Sequence, residues 1–193
     1  MSGFSALKRR TVSWIVAGLG ASVAAGLSLG LAVMAASQPA PLKIVGAGEE
    51  VDTGRWRVAA TGAGFKPADA KAAGYLDRQN LLFVRLRFTN LSAASSNAYV
   101  SVASLDLPAD GLEAPTYLLA RDGAMVFDLH PDMPEDVVAA WKWPEGRAVP
   151  QTLRVTFAGQ LYKRRDNLYG APGWFPADPA AAVDLPVKTV AAQ

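Results

Sequence analysis

From Leu42 onward, hydrophobic and polar residues alternate with a period of two rather than 3.6. Trp56, Val58 and Ala60 alternate with Arg55, Arg57 and Ala59. Leu82, Val84, Leu86 and Phe88 alternate with Phe83, Arg85, Arg87 and Thr89. Leu153, Val155 and Phe157 alternate with Thr152, Arg154 and Thr156. Each run has an apolar face and a face bearing arginine or threonine, as antiparallel strands with one wet side do. Val137 to Trp143, bounded by Pro134 and Pro144, predicts a further strand with Trp141 and Trp143 packing on one face. Shorter strands are predicted over Leu42–Val45, Tyr99–Leu107, Thr116–Leu119, Ala124–Phe127 and Ala182–Leu185. Asp110-Gly111, Asp122-Gly123 and Pro144-Glu145-Gly146 supply the turns between them. The Ala-rich stretch Lys66 to Asp77 predicts one short helix or an ordered loop. No βαβ alternation occurs, so the expected domain over 42–193 is an all-β antiparallel sandwich.

Ahead of this domain the pattern changes. Val12 to Ala36 is a run of 25 residues without a charge. As a helix it spans about 37 Å at about 1.5 Å per residue, against a hydrocarbon core of about 30 Å. A transmembrane helix is therefore expected over 12–36, after a basic N-terminus (1–11) and before a proline-stiffened linker, Ser37-Gln38-Pro39-Ala40-Pro41 (37–41). Lys8, Arg9 and Arg10 put the N-terminus in the cytoplasm and the domain outside it, periplasmic or extracellular; Trp14 sits at the boundary. The rival is a cleaved secretory signal, because Val33-Met34-Ala35 and Ala35-Ala36-Ser37 each offer a small-residue cleavage pattern. The apolar run exceeds the roughly 7–15 residues of a signal core, which favours an uncleaved anchor. Gly18, Ser22, Gly26 and Gly30 recur at every fourth position, a small-residue stripe suited to packing on a partner helix or a second copy. Ala17, Ala21 and Ala25 form a parallel stripe.

Composition narrows the chemistry. Hydrophobic residues make up 51% and charged residues 19%, which excludes a disordered tail or a highly charged nucleic-acid binder. The absence of cysteine excludes disulfides, thiolate metal sites, a cysteine nucleophile and a lipidated cysteine. The net charge of +2 hides an asymmetry, since three of the 19 basic residues precede the apolar run and all 17 acidic residues follow it. The part from Lys43 onward is close to neutral, which removes a basic-patch argument for nucleic acid.

The densest set of metal-ligand types is His130 with Asp128, Asp132, Met133, Glu135 and Asp136. Pro131 and Pro134 interrupt the oxygen spacing that calcium needs, and only Met133 is a local soft ligand for copper(I). An acidic, solvated turn is the expectation, with no metal and no cofactor. His130 is the only imidazole base, and no Gly-x-Ser-x-Gly elbow occurs. Gly46-Ala47-Gly48 and Gly62-Ala63-Gly64 do not lead into Gly-Lys-Ser/Thr, so neither is a phosphate loop. The chain is not expected to be an enzyme. Lys163, Arg164 and Arg165, then Tyr169, Trp174 and Phe175, with Tyr162 and Leu168 nearby, stand in a segment broken by Gly170, Pro172, Gly173 and Pro176. Arginine beside aromatics in an irregular loop suits a protein contact surface; the alternative is a lid over the end of the sandwich.

Gly54-Arg55-Trp56-Arg57-Val58, then Leu82 to Asn90 ending in Thr-Asn, then Leu129-His130-Pro131 before Val137–Trp143, resembles the telokin-like, immunoglobulin-related domains of bacterial envelope proteins. The resemblance runs from about Leu42 to Gly159, and where that family usually has glycine after the turn proline this chain has Asp132. It implies an immunoglobulin-like sandwich, tethered outside the cytoplasm, without catalytic residues to carry over. The expected function is a non-enzymatic, membrane-anchored binding or assembly module that docks on an envelope or membrane protein. The alternative is a soluble exported ligand- or metal-binding protein.

Overall fold

A computed structural model describes residues 28, 41–69, 71, 74, 76–108, 112–168 and 170–190. The expected spanning helix with its stripe Gly18, Ser22, Gly26 and Gly30, as well as Tyr169 and the Asp110-Gly111 turn, lies outside the described residues. Among the described residues no helix is long and apolar enough to cross a membrane. The chain divides into two compact units, Met1–Pro41 and Leu42–Gln193.

In the second unit the alternating runs are strands. They are β1 (Ile44–Val45), β2 (Val51–Asp52), β3 (Trp56–Lys66), β4 (Leu81–Asn90) and β5 (Ala103–Leu105). β6 (Thr116–Leu119), β7 (Pro134–Lys142), β8 (Thr152–Lys163) and β9 (Gly173–Thr189) follow. Single 3-10 turns at Leu76–Arg78 and Ala98–Ser101 interrupt the series. Hydrogen bonding links the strands in the order β5-β8-β9-β3-β4-β7-β6, with β1 on β9 and β2 on β3. β9 joins the two halves. As far as Pro186 it pairs antiparallel with β8, and Val187 to Thr189 then run parallel to Ala63–Phe65 of β3. Gly64 permits that approach, because a Cβ there would lie 2.5 Å from the Phe83 ring and 2.9 Å from the Lys188 carbonyl.

The architecture is all-β and sandwich-like. Leu153, Val155 and Phe157 of β8 and Ala181, Val183 and Leu185 of β9 meet Trp56, Val58, Leu82, Val84, Leu86 and Phe88 in one core. The four apolar residues of the β4 face are at most 1% exposed, whereas Arg85 and Arg87 between them are exposed. Each buried Leu or Phe contributes about 1.5–3 kcal/mol of transfer free energy. Trp56, Phe88 and Tyr99 pack with ring centroids 5.7–6.1 Å apart, mostly edge to face. Trp141 and Trp143 are buried as expected.

Three expectations need correction. Tyr99 to Leu107 is not one strand. Tyr99 lies in a 3-10 turn with its ring in the core, and its hydroxyl donates to the carbonyls of Val126 and Phe127, each at 2.9 Å. Ala124 to Phe127 forms only a bridge between Met125 and Leu118. The segment after β8, expected to be irregular and followed by a short strand at Ala182–Leu185, is mostly the 17-residue β9. Its Pro176 and Pro179 fall where only one edge is paired, because β1 reaches only Ala182 and Val183 and β3 only Val187 to Thr189. Proline costs a strand little where its missing N–H would face solvent.

Candidate interaction surface

β8 and β9 form a hairpin whose register holds from Thr152↔Pro186 to Lys163↔Gly173, with a bulge between Phe157 and Gly159. Beyond the core the same strands carry the aromatic and basic residues. Tyr162 and Trp174 are register partners with ring centroids 5.3 Å apart. The Lys163 ammonium stands 4.9 Å from the centre of the Phe175 ring, within cation–π range. The connecting loop is organised by Asp166. Its carboxylate accepts from the Leu168 N–H at 3.0 Å, its N–H donates to the Ala171 carbonyl at 2.9 Å, and its carbonyl accepts from Gly170 at 3.0 Å.

The hairpin brings Tyr162 onto Trp174 and Lys163 over Phe175, with different exposures along its length. Lys163, Arg164 and Arg165 are exposed, while Trp174 and Phe175 are half-buried at the hairpin base. Tyr169 lies outside the described residues. The Arg55 guanidinium lies 5.9 Å from both the Trp56 and the Trp174 rings, linking the core to the hairpin, and its Nη2 donates to Ser96 Oγ at 2.7 Å. Beneath Trp174, Gly54 has φ of +94° and sits so close to β8 that a Cβ would come within 1.9 Å of the Gln160 carbonyl. Arg55 Nε, Trp56 Nε1 and Gln160 Oε1 are buried there without hydrogen-bond partners among the described residues. Trp174 thus packs on Arg55 and Gly54 at the hairpin base, and more exposed residues lie further out. Leu161 (55% exposed), Tyr162 (48%) and Leu168 (77%) present apolar area beside the three cations. Leu161 and Arg55 were not singled out from the sequence. Leu161 could be read as outward-facing only once the bulge of β8 was known.

The acidic turn at 128–136 is dispersed by arginines from neighbouring elements. Asp136 receives a bidentate pair from Arg87 at 2.8 and 2.9 Å, its register partner on β4. That hydrogen bonding holds its carboxyl below the usual aspartate range. Glu135 accepts from Arg121 at 2.6 Å. Among the described residues no group of three or more His, Asp or Glu is placed to hold a metal ion. Burial pushes the Tyr99 hydroxyl upward, and it pushes Tyr117 up to about 12, so both remain neutral donors at ordinary pH.

No protein-family model and no curated protein matches the chain. Among solved structures, an uncharacterized β-sandwich protein from Clostridium difficile 630 is similar at 9% identity and a TM-score of 0.42. The alignment covers 74% of this chain and 98% of that one.

Proposed function

We propose that the chain is a non-enzymatic, membrane-anchored binding or assembly module. Its immunoglobulin-like, telokin-related sandwich stands outside the cytoplasm, and the β8–β9 hairpin docks on an acidic face of an envelope or membrane protein. The supporting observation is the combination at the hairpin end. The hairpin end carries three exposed apolar side chains, Leu161, Tyr162 and Leu168, and three exposed cations, Lys163, Arg164 and Arg165. Apolar area supplies affinity, and the cations supply orientation and rate of encounter. The transmembrane stripe Gly18, Ser22, Gly26 and Gly30 would add a second contact within the bilayer.

Full-length protein in mild detergent should co-purify with a membrane protein. Capture by Arg164→Glu should be weakened and salt-dependent, and capture by Leu168→Ser should be lost. Both side chains are exposed, so neither change should move the melting temperature. Undiminished capture by the double variant would remove the hairpin from the reading. The alternative, a soluble exported ligand- or metal-binding protein, draws on a separate pocket that bears Met125, His130 and Met133.

A further inference from the structure

The domain holds two methionines and one histidine between Leu42 and its end, and the fold gathers all three at one place. Met125, His130 and Met133 line a half-open pocket of about 240 Å³ between the β6 turn and the start of β7. In sequence only Met133 stands near His130. Met125 arrives because the chain doubles back after β6, with Val126 donating to the Tyr117 carbonyl at 3.0 Å and Met125 bridging Leu118.

The backbone that presents these side chains is pinned from the core. The Tyr99 hydroxyl holds the carbonyls of Val126 and Phe127. Ser96 and Leu129 exchange backbone hydrogen bonds at 2.9 and 3.1 Å. Asn90, fully buried, donates from Nδ2 to the Leu129 carbonyl at 2.9 Å, and its own carbonyl accepts from the Asp132 N–H at 2.9 Å. Asp132 adopts φ of +55°, the left-handed turn that swings the chain between His130 and Met133. An irregular segment is thus anchored by buried polar groups while its methionines stay outside, with Met125 60% and Met133 61% exposed. Both methionines share the pocket lining with His130.

His130 is held through one ring nitrogen. Its Nδ1 lies 2.7 Å from Ser95 Oγ. With Nδ1–H donating to that oxygen, the Nε2 lone pair is free, the arrangement that outer partners impose on metal-binding histidines. Thioether donors favour soft cations such as copper(I) over calcium or magnesium, and imidazole also binds copper. Arg121, Asp128 and Glu135 line the same pocket; Arg121 pairs with Glu135, and the Asp128 carboxylate is the charge left to favour a cation.

We infer that Met125, His130 and Met133 form a binding site for a soft monovalent cation of the copper(I) type. The site is independent of the hairpin and of whether the chain is anchored or released.

The test is an anaerobic titration of the full-length protein in detergent with copper(I), using bicinchoninate as the competing chelator. One copper(I) per chain should be retained. Met125→Leu and Met133→Leu should each weaken retention by more than about tenfold, and Ser95→Ala, acting through the imidazole, by about tenfold. The double methionine variant should fall to background with its melting curve unchanged, since both side chains are exposed. Silver(I), a redox-inert mimic, should shift the ε-methyl resonances of Met125 and Met133 and leave those of Met1 and Met34 in place. Failure of the wild type to hold copper(I), equal retention by the double methionine variant, or zinc binding that needs His130 alone would each overturn the site.

Discussion

At the scale of single residues, backbone conformation and close approach decide more than side-chain identity. Gly54 and Gly48 both have positive φ, at +94° and +82°. Only Gly54 has a neighbour, because a Cβ there would overlap the Gln160 carbonyl, whereas nothing lies within 4 Å of one at Gly48. Gly48→Ala should therefore cost only the conformational penalty, about 1–3 kcal/mol for a residue held in such a region. Gly54→Ala should cost clearly more and should loosen Trp174, which rests over the same spot. Denaturant melts of both variants, with Trp fluorescence as the readout, check this; equal losses would show that the β8 contact is yielding. Gly54 stood in the run Gly54 to Val58 that carries the telokin-like resemblance. Its reason for being glycine could not be read there, because Gln160 is distant in sequence.

At the scale of elements, legibility followed the pairing environment. β4 and the first half of β8 were plain in the alternation because each has one face in the core and regular partners, and β7 was read from the prolines that bound it. β9 was not, since Pro176 and Gly173 read as breakers until its one-sided pairing is known. The β4 phase has a direct test. Leu86→Ala, on the face that is at most 1% exposed, should cost about 2–5 kcal/mol. Thr89→Ala, on the other face, should cost far less, and small equal losses would refute the phase. The outer faces carry two register-paired bidentate bridges, Arg87–Asp136 and Arg154–Asp184. Hydrogen bonding to arginine lowers both carboxyls. A carboxylate lowered in the folded state adds stability that is present above the unfolded aspartate value, about 3.9, and is lost as pH falls through the lower folded value. The double variant Asp136→Asn, Asp184→Asn should therefore melt slightly lower at neutral pH and lose less stability on acidification than the wild type. The pairs are exposed, so the neutral-pH effect should shrink further in high salt. An unchanged acid limb would assign that limb to other carboxylates.

At the scale of the whole molecule, the sandwich is legible in the sequence, but the two proposed surfaces are assembled by folding. The basic and aromatic cluster at 162–175 could be read directly, yet its grading from half-buried Trp174 and Phe175 to exposed Leu161, Tyr162 and Leu168 needed the hairpin. The association of Met125 with His130 and Met133 needed the return of the chain after β6. The proposed anchor remains a statement about sequence: 25 uncharged residues behind Lys8, Arg9 and Arg10. Between the proposed anchor and the domain stand five residues, Ser37 to Pro41, two of them prolines. An uncleaved helix predicts that the protein sediments with membranes, resists carbonate extraction and keeps its own N-terminus. It also predicts that charge placed in the run, as in Gly26→Arg, reduces membrane retention, since arginine at a helix centre costs roughly 2.5–3.5 kcal/mol on insertion scales. A cleaved signal predicts the opposite distribution, a soluble domain whose first residue is Ala36 or Gln38. N-terminal sequencing of the membrane and soluble fractions distinguishes the two. A mature N-terminus at either position in the soluble fraction would leave the domain free to diffuse, and docking would then rest on the hairpin alone.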